Sequence, residues 1–279
     1  MVRRACIVGH PVAHSRSPMI HGHWLSEYGI DGAYGREDVS PEAFEAFIAE
    51  LGARGYVGCN VTVPNKEAAF AAATVDDPVG RALRAVNTLW LEDGVLRGMN
   101  TDVAGFLASL DADRPGWHRD AGTALVLGAG GASRAIVHAL LSRGIGRVRL
   151  ANRTQARAAE VAALFGSDVE VVAWADVEAA MDGVSILVNT TSLGMKGQPP
   201  LDLSLARLPT GALVTDIVYV PLITPLLAMA REAGHPIVDG LRMLLHQAVP
   251  GFERWFGVRP SVTPALRALI EADVVAKSG

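Results

Sequence analysis

The fold is decided by Leu125-Val126-Leu127-Gly128-Ala129-Gly130-Gly131-Ala132-Ser133-Arg134, an apolar run that leads directly into a glycine-rich turn. After the turn, apolar residues recur at helix spacing, so strand, turn and helix follow in that order. Gly128 allows the tight turn, Gly130 lets backbone N–H groups approach a pyrophosphate, and the helix N-terminus adds favourable positive potential. Ser133 takes the third fingerprint position, where Gly or Ala is usual, and is small enough for close packing. The stretch therefore predicts a Rossmann-type dinucleotide-binding unit.

The end of the next predicted strand indicates which dinucleotide is bound. NAD-selective sites carry an acidic residue about 20 residues after the glycine turn, where it binds the ribose hydroxyls. This chain has no acid there, and Asn152-Arg153-Thr154 follows the strand, with Arg157 one turn later. Such donors and cations suit a 2′-phosphate, so the sequence favours NADP over NAD. The alternative is a solvated arginine at the start of a helix.

The composition fits a globular chain of two domains. Of 279 residues, 50% are hydrophobic and 19% are charged, which supplies enough apolar material for one or two cores. The net charge is -4, and no window combines lysine and arginine with aromatic residues, so we expect no nucleic-acid partner. Asp216, Pro221 and Pro225 interrupt the most apolar long stretch, 212–230, so we expect no membrane span.

Cysteine and histidine usage bears on location and metals. The only cysteines, Cys6 and Cys59, have apolar neighbours, which suits buried thiols in a reducing compartment and predicts a cytoplasmic location. The histidines are scattered, and His21 and His23 are spaced so that they do not share a helix face. We therefore expect no metal site.

Short β-rich runs alternate with helix-period segments along nearly the whole chain, which predicts an α/β fold with a parallel sheet. The predicted strands are 4–9, 57–63, 123–127, 147–151, 169–172, 185–189 and 212–218. The predicted helices include 18–28, 41–53, 65–73, 132–143, 156–165, 241–256 and 264–275. No strand is expected after Pro236.

The polar, turn-rich segment 111–122 predicts a domain joint close to it. We expect a Rossmann-type NADP domain with a parallel sheet over 105–237. An α/β substrate domain would comprise 1–104 and be completed by the C-terminal helices within 238–279. The ligands would then bind in the cleft between the domains, and closure of the domains would exclude water.

Two loops in the first domain carry polar side chains at strand ends. Residues 9–18 follow the first strand, and residues 60–66 close the strand near residue 60. Because ligands bind beyond the carboxyl ends of parallel strands, we expect both loops to face one crevice. Ser15 and Ser17 can offer hydroxyls to a carboxylate. Ser17 is also a candidate N-cap for the helix that begins at Pro18.

Asp93-Gly94, set between alternating residues, predicts a two-residue hairpin turn. Glu92 then pairs with Val95, so that paired residue numbers sum to 187 and Asn87 lies opposite Asn100. Asn87 and Asp102 therefore emerge at the same end of the hairpin. A polyol-binding cluster could form at that end.

Lys66 and Asp102 are the ionisable residues that we single out. Within hydrogen-bond reach each would hold the other charged, and in a dry cleft the pair can position a hydroxyl and pass its proton. The alternative makes Lys66 a cation on a helix surface and Asp102 an N-cap. The spacing alone does not decide between them.

Several motifs are distributed over the whole chain and are specific in combination. They are Gly9-x-Pro11-x-x-His14-Ser15-x-Ser17-Pro18, Asn60-Val-Thr62-Val-Pro64-x-Lys66, Ala85-Val-Asn87-Thr88, Asn100-Thr101-Asp102, Gly128-Ala-Gly-Gly-Ala132, Asn152-Arg-Thr154, Asn189-x-Thr191-Ser-x-Gly194-Met195, Asp216-x-Val-Tyr219 and Gly240-x-x-Met243-Leu-x-x-Gln247-Ala248. Together they resemble the motifs of the shikimate dehydrogenase family.

The resemblance implies an oxidoreductase that transfers a hydride reversibly between NADPH and the carbonyl of 3-dehydroshikimate, giving shikimate for chorismate and aromatic amino acid biosynthesis. By matching position, Lys66 and Asp102 would be the catalytic pair. The substrate residues would be Ser15 and Ser17, which hold the carboxylate, with Thr62, Asn87, Tyr219 and Gln247. The cofactor residues would be Gly128, Ala129, Gly130, Gly131, Ala132, Asn152, Arg153, Thr154 and Arg157, with Ile217 and Gly240 along the nicotinamide.

Four positions depart from the residues usual in the family. Arg84 precedes Ala-Val-Asn-Thr and Arg242 precedes Met-Leu, each in place of Gly. Asn65 replaces His, Phe or Tyr, and Val103 follows Asp102 where Gly is frequent. Our hypothesis is that Arg242 reaches an anionic group of the closed complex or narrows the cleft, and thereby alters the kinetics.

Two other functions remain open from the sequence. One is a quinate/shikimate dehydrogenase paralogue that uses NAD, against which Arg153 argues. The other is a non-catalytic NADP-binding regulator of the same fold, against which the presence of both Lys66 and Asp102 argues. A small-molecule substrate is the expected partner, and the chain could be a monomer or a homodimer.

Overall fold

The computed structural model describes residues 2–120 and 122–278, and the chain forms two compact units. Unit 1 comprises Met1–Val103 and Leu245–Ile270, and unit 2 comprises Ala104–Leu244 and Glu271–Gly279. The domain limits expected from the sequence, 104 and 238, lie near two of these boundaries and remain a prediction. The structure adds that the final residues of the chain belong to unit 2.

Unit 1 contains a five-stranded sheet in the order β2-β1-β3-β4-β5. Strands β1, β2 and β3 run parallel, whereas β4 and β5 are antiparallel to their neighbours. The strands are β1 (Arg3–Gly9), β2 (Gly32–Asp38), β3 (Tyr56–Val61), β4 (Thr88–Glu92) and β5 (Val95–Met99). The sheet is packed by a core that includes Cys6, Val8, Phe44, Cys59 and Leu89.

The hairpin of β4 and β5 has the predicted register. Thr88 pairs with Met99 and Glu92 pairs with Val95. The turn residues Asp93 and Gly94 have φ angles of +50° and +76°, which are the values that a two-residue turn of this type requires. The prediction that Asn87 and Asp102 emerge at the same end of the hairpin follows from this register.

Unit 2 contains a six-stranded parallel sheet in the order β11-β10-β9-β6-β7-β8. This is the order of a doubly wound nucleotide-binding sheet, in which strands are added first on one side of β6 and then, from β9 onward, on its other side. The strands are β6 (Thr123–Leu127), β7 (Arg147–Ala151), β8 (Val169–Val172), β9 (Ile186–Asn189), β10 (Leu213–Asp216) and β11 (Ile237–Val238). The predicted α/β class with a Rossmann-type unit is confirmed.

The helices connect these strands and cover the sheets. They are α1 (Ser17–Glu27), α2 (Pro41–Ala49), α3 (Lys66–Ala72), α4 (Pro78–Leu83), α5 (Asp102–Asp113), α6 (Ser133–Ser142), α7 (Gln155–Ala162), α8 (Pro225–Glu232), α9 (Leu241–Phe256) and α10 (Pro264–Ser278). In α6, the predicted apolar face is buried at Ile136, Val137 and Leu140. The boundaries between the units fall inside α5 and α9 and at the middle of α10.

The expectation that no strand follows Pro236 is wrong. Ile237 and Val238 form β11, which pairs with β10. Two residues are too few for an alternating pattern to be visible in a sequence. Strand β2 was also not predicted, because its sequence Gly-Ala-Tyr-Gly-Arg-Glu-Asp is polar and lies at a sheet edge, where none of its seven residues is fully buried.

Neither a membrane span nor a metal cluster is found among the residues that the structure describes. No helix in 2–120 or 122–278 is long and apolar enough to cross a bilayer. In the same ranges, no three histidine, cysteine or acidic side chains come together in a way that could hold a metal ion.

Candidate active site

Lys66 and Asp102 meet in unit 1. The Lys66 ammonium donates to Oδ2 of Asp102 over 2.5 Å, and the two side chains are only 13% and 8% exposed. Lys66 is the first residue of α3 and Asp102 the first residue of α5. The alternative in which Lys66 is a surface cation is therefore wrong. Asp102 likewise directs its carboxylate to side chains of other elements rather than preceding the helix as a cap.

The side-chain amide of Asn87 orients the second oxygen of Asp102. Asn87 Nδ2 donates to Asp102 Oδ1 over 2.8 Å, and Asn87 Oδ1 accepts from the Thr101 N–H over 2.9 Å. Because the Thr101 N–H can only donate, the amide oxygen of Asn87 must face it. The amide nitrogen therefore faces Asp102, and Asp102 is an acceptor at both oxygens.

Gln247 lies in the part of α9 that belongs to unit 1. Its backbone carbonyl accepts from the Thr101 hydroxyl over 2.8 Å, and its side-chain oxygen lies 3.5 Å from Asn87 Nδ2. The structure thus brings Asn87 and Gln247 to the Lys66–Asp102 pair. These four side chains come from four separate stretches of sequence.

Ser15 and Ser17 lie at the start of α1 and are both buried. The Ser15 hydroxyl lies 3.2 Å from the Ser17 hydroxyl and also accepts from the Ser17 N–H over 3.2 Å. Helix α1 begins at Ser17, with Arg16 at the N-cap position, so the expectation that Ser17 caps this helix is wrong. The side chain of Arg36 donates to the Ser15 carbonyl through two nitrogens, at 3.1 Å and 2.6 Å. The pair of hydroxyls is therefore fixed by its own backbone and by Arg36.

The loops after β1 and β3 lie side by side, and the prediction that they face one crevice remains a prediction. The Thr62 N–H donates to the Val8 carbonyl over 2.9 Å, and the His10 N–H donates to the Val63 carbonyl over 3.2 Å. A side chain at Gly9 would meet the Thr62 methyl carbon at 2.3 Å, so only glycine allows this approach. Thr62 itself is half-buried at the end of the sheet.

Asn60 connects several of these residues, a role that its position in the sequence does not indicate. Its amide nitrogen donates to the Asn87 carbonyl over 3.2 Å and to the Thr88 hydroxyl over 3.1 Å. Its oxygen accepts from the Tyr34 hydroxyl over 2.5 Å. Burial raises the pKa of Tyr34 well above its usual value, so the hydroxyl keeps its proton and donates. The signal for Asn60 in the sequence is its place at the start of the motif Asn60-Val-Thr62-Val-Pro64-x-Lys66, which gives it no role.

In unit 2, the glycine-rich turn has the geometry that a pyrophosphate requires. Gly128 has φ +102°, and a side chain there would meet the Thr190 hydroxyl at 2.7 Å. At Gly130 and Gly131, by contrast, an added Cβ would meet no atom within 4 Å. Their backbone therefore borders open space at the N-terminal end of α6, where a dinucleotide phosphate is stabilised. Ala129 and Ala132 complete the turn with small side chains.

Asn152 joins this turn to the loop that follows β7. Its side-chain oxygen accepts from the Ala129 N–H over 3.1 Å, and its amide nitrogen donates to the Thr154 carbonyl over 2.9 Å. The side chains of Arg153 and Arg157 are exposed on this loop and on the first turn of α7. The residues present thus fit a phosphorylated dinucleotide: an open turn for the pyrophosphate and two arginines beside it.

Ile217 and Gly240 are close neighbours in unit 2. A side chain at Gly240 would meet the carbonyl oxygen of Ile217 at 2.5 Å and that of Val218 at 2.8 Å. The two backbones therefore approach each other so closely that only glycine fits at 240. Tyr219 lies two residues after Ile217 in the same unit.

The four residues unusual for the family have definite places. Arg84 ends α4 with φ +50°, and Asn65 is buried, with its amide donating to the Val39 carbonyl over 3.1 Å. Val103 is buried within α5. The Arg242 guanidinium lies 2.6 Å from the Asp113 carboxylate, although its N–H does not point along the line to the oxygen. A carboxylate of the same unit therefore pairs with the guanidinium that we expected either to reach an anionic group of the closed complex or to narrow the cleft.

One unit contains a buried ammonium–carboxylate pair, and the other fits a phosphorylated dinucleotide. Together they define the class of protein as an NADP-dependent oxidoreductase. Family models agree with this class. The model of the shikimate dehydrogenase substrate binding domain matches residues 7–89, that of shikimate/quinate 5-dehydrogenase matches 115–195, and that of the shikimate 5′-dehydrogenase C-terminal domain matches 240–270.

Relatives and solved structures match nearly the whole chain. It is 57% identical to the shikimate dehydrogenase (NADP⁺) of Azorhizobium caulinodans over 276 residues, which cover 99% of this chain and 98% of that one. The same enzyme of Brucella abortus is 57% identical, with 99% and 96% covered. The structure of shikimate 5-dehydrogenase from Thermus thermophilus with NADP(H) and shikimate superimposes with a TM-score of 0.85 at 35% identity, covering 98% and 100%. The chain belongs to the shikimate dehydrogenase family.

Proposed function

We propose that this oxidoreductase reduces 3-dehydroshikimate to shikimate with NADPH, reversibly, and that Lys66 and Asp102 are its catalytic pair. The observation that carries the proposal is the 2.5 Å contact between the Lys66 ammonium and Asp102, which the Asn87 amide orients. Relatives that are 57% identical over nearly their full length are shikimate dehydrogenases that use NADP⁺. They favour this function over an NAD-dependent quinate enzyme or a non-catalytic regulator.

The reduction adds a hydride to the carbonyl carbon and one proton to the carbonyl oxygen. When bound, NADPH supplies the hydride, so the protein has to orient the ring and handle a single proton. Lys66 can donate a hydrogen bond to the reacting oxygen while Asp102 holds the ammonium in place. Proton transfer by such a positioned group contributes about 100-fold to 10,000-fold to a rate.

The remaining polar groups would hold the cyclic polyol. We assign its carboxylate to the hydroxyls of Ser15 and Ser17, which lie 3.2 Å apart and are fixed by backbone contacts. Thr62, Asn87 and Gln247 would bind ring hydroxyls, and Tyr219 would complete the pocket. Each of these groups can donate or accept, which a ring with several hydroxyls requires.

We assign the dinucleotide to the open turn at Gly130 and Gly131 and to the exposed arginines beside it. Arg153 and Arg157 would pair with the 2′-phosphate, since guanidinium groups bind phosphate through two parallel hydrogen bonds. Ile217 and Gly240 would border the nicotinamide. Residues Gly128, Ala129, Ala132, Asn152 and Thr154 would shape the turn and the loop that carry these contacts.

We also infer a cytoplasmic location and a single chain or a homodimer as the working form. Cys6 and Cys59 are free and buried, as expected for a protein of a reducing compartment. The net charge of -4 gives no reason to expect nucleic acid as a partner. Sedimentation of the purified protein would distinguish the monomer from the dimer.

The assay follows the formation of NADPH from NADP⁺ and shikimate, with NAD⁺ and quinate tested in parallel. The parent protein is expected to be active with the first pair, and Lys66→Ala is expected to lose at least about 100-fold in kcat while still binding NADP⁺. A matched control, Lys277→Ala, removes an exposed lysine that pairs with Asp273 and should leave the rate unchanged. A parent that binds NADP⁺ normally but is inert with shikimate would support the regulatory alternative.

A further inference from the structure

A buried carboxylate outside the catalytic pair organises the end of the unit 2 sheet. Asp216 is the last residue of β10 and is 0% exposed. Its Oδ1 accepts from the Asn189 amide over 3.0 Å and from the Val218 N–H over 2.9 Å. Its Oδ2 accepts from the Thr224 hydroxyl over 2.8 Å. One side chain thus binds three residues, one at the end of β9 and two in the segment that follows β10.

On one side, Asp216 orients the segment that follows β9. Asn189 Oδ1 accepts from both the N–H and the hydroxyl of Thr191, at 3.0 Å and 2.8 Å. Asn189 Nδ2 donates to Asp216 and also to the Leu193 carbonyl over 3.2 Å. Because each end of the amide has partners of only one kind, the amide has one orientation. That orientation needs an acceptor at position 216.

On the other side, Asp216 holds together the two ends of the segment 218–224, which follows β10. The Val218 N–H at the start of the segment and the Thr224 hydroxyl at its end bind the same carboxylate. The Thr224 hydroxyl oxygen also accepts from the Leu227 N–H over 3.3 Å, which caps α8. The segment 218–224 is therefore tied at both ends through a single side chain.

The residue next to Asp216 is held by its backbone as well. The Ile217 N–H donates to the Asn189 carbonyl over 3.1 Å. The Ile217 carbonyl oxygen lies so close to Gly240 that an added Cβ there would approach it to 2.5 Å. The Val218 N–H, which Asp216 binds, lies between the two residues assigned to the ligands. These are Ile217, assigned to the nicotinamide, and Tyr219, assigned to the substrate.

Burial of this carboxylate is unfavourable unless it is hydrogen-bonded. Burial raises the pKa of Asp216 to about 6, while the hydrogen bonds from Asn189, Val218 and Thr224 oppose the rise. An apolar residue would fill the space without this cost, but it could not accept the three hydrogen bonds. The acid is therefore needed for the shape of the two segments and not for packing.

We propose that Asp216 is a positioning residue for the reaction, which fixes the backbone at Ile217 and the segment 218–224 so that nicotinamide and substrate meet in reacting geometry. The inference rests on the proposed function. Asp216 itself is fully buried, and its effect on the reaction passes through Ile217 and Tyr219. A misplacement of about 1 Å at such a segment can lower a rate 100-fold.

Four variants test the proposal in the full chain. Asp216→Ala removes the acceptor, Asp216→Asn keeps an acceptor for Val218 and can donate to Thr224, and Thr224→Val removes one donor. Thr215→Val is the matched control, because Thr215 is a buried residue of the same strand outside the network. We measure kcat and KM, the thermal midpoint, and the affinities for NADP⁺ and for adenosine 2′,5′-bisphosphate. The bisphosphate has no nicotinamide, so its binding depends only on the glycine-rich turn at Gly130 and Gly131 and on the loop that carries Arg153.

Asp216→Ala is expected to lower kcat about 10-fold to 100-fold while the bisphosphate affinity stays within about twofold. Asp216→Asn should recover kcat to within about threefold of the parent, and Thr224→Val should give an intermediate loss. Should Asp216→Ala fail to fold, the other two variants still carry the test. The proposal is overturned if kcat stays at the parent value, or if bisphosphate binding falls in proportion to kcat. An inactive parent would instead refute the proposed function.

Discussion

The amide of Asn87 donates to one oxygen of Asp102 over 2.8 Å, and the Lys66 ammonium donates to the other over 2.5 Å. Both oxygens of the carboxylate thus face donors, in a place where the Asp102 residue is only 6% exposed. A neutral amide has one oxygen and one NH₂ group and can satisfy only one of these two donors. The site is therefore specific for an ionised carboxylate at position 102.

The first prediction concerns this specificity. In Asp102→Asn, the new NH₂ group must face either the Asn87 amide nitrogen or the Lys66 ammonium. Two hydrogen-bond donors then point at each other, and one of them has no acceptor. We expect kcat with shikimate to fall by at least about 100-fold, because the ammonium loses the group that positions it. Steady-state kinetics and direct binding of NADP⁺ measure the change, and NADP⁺ affinity should stay near that of the parent.

The matched control is Asp76→Asn. Asp76 pairs with Arg81 and Arg97 at the surface of unit 1, where its side chain is 69% exposed. Its loss removes a carboxylate from the same unit without touching the cluster around Lys66, and activity should not change. Equal activities of the Asp102 and Asp76 variants would exclude Asp102 from catalysis.

How far the sequence predicts this site depends on the range of the interactions. The hairpin register follows from local turn chemistry, and it correctly placed Asn87 and Asp102 at one end. The Lys66–Asp102 contact joins separate segments, so the spacing left it open and only the family resemblance favoured it. The role of Asn60 as a link between Tyr34 and Asn87 could not be predicted, because such a network depends on side-chain placement across three strands.

Predictions from local sequence patterns were wrong or incomplete at two places in the fold. Ser17 before Pro18 has the pattern of a cap, yet α1 starts one residue earlier than expected. The partner of Arg242 is Asp113 at the end of α5, and no periodicity indicates which distant carboxylate an arginine will meet. The glycine turn, by contrast, was predictable, since strand, turn and helix are consecutive there.

Arg84 gives a prediction about stability. It ends α4 in the left-handed region, at φ +50°, where a Cβ is unfavourable and the family has Gly. Arg84→Gly should raise the free energy of unfolding by about 0.5–1 kcal/mol, after the greater flexibility of glycine in the unfolded chain is subtracted. Urea unfolding measures the change.

Two controls separate the backbone effect from the loss of charge. Arg84→Ala removes the guanidinium but keeps the Cβ, so it should not stabilise the protein. Ala82→Gly lies in the same helix at an exposed position with ordinary helical backbone, and it should destabilise by about 1 kcal/mol. If Arg84→Ala stabilised as much as Arg84→Gly, the charge and not the backbone would be responsible.

The coenzyme preference gives a prediction about Arg153. Its side chain is exposed on the loop after β7, where the 2′-phosphate is assigned. Arg153→Ala should weaken NADP⁺ binding about 10-fold to 100-fold, the usual effect of losing a hydrogen bond to a charged group, and leave NAD⁺ binding unchanged. Titration of both coenzymes measures the two affinities.

Arg147→Ala is the control for general charge effects. Arg147 begins the same strand, is 60% exposed and lies 3.6 Å from Glu170. Its removal lowers the net positive charge near the sheet by the same amount without affecting the loop. A similar loss of NADP⁺ affinity in both variants would indicate long-range attraction and not a contact of Arg153.

His21 gives a prediction about pH. It is 0% exposed and stacks on Tyr34 with ring centres 3.9 Å apart, and burial lowers its pKa from 6.5 to about 3. The folded state therefore keeps the imidazole neutral, whereas the unfolded chain binds a proton below pH 6.5. The stability that the neutral His21 contributes is thus fully present above pH 6.5 and is lost as the pH falls toward 3. Relative to His21→Phe, the parent should lose about 1.4 kcal/mol per pH unit between pH 6 and pH 4.

The test depends only on how the difference in unfolding free energy between the parent and His21→Phe changes with pH. Any change in packing caused by Phe adds a constant to this difference and does not alter its slope. Ile20→Val is the control, because Ile20 is a buried residue of the same helix without an ionisable side chain. Its stability curve should run parallel to that of the parent. Parallel curves for His21→Phe as well would mean that His21 is protonated in the folded protein.

Arg242 gives the last prediction. Its guanidinium lies 2.6 Å from Asp113, and both side chains are about one quarter exposed. Arg242 is in the first turn of α9 and Asp113 is the last residue of α5, so each charge stands at the helix end where the helix dipole disfavours it. The ion pair offsets the unfavourable interaction of each charge with its helix dipole. A cycle of Arg242→Gly, Asp113→Asn and the double variant should therefore give a coupling free energy of about 1 kcal/mol in unfolding.

The same variants test whether Arg242 acts on the ligands. Because Asp113 already neutralises the cation, KM for shikimate and for NADP⁺ should stay within about twofold of the parent in each variant. A KM that rises in Arg242→Gly and not in Asp113→Asn, with no coupling in stability, would show that the guanidinium serves the ligands after all.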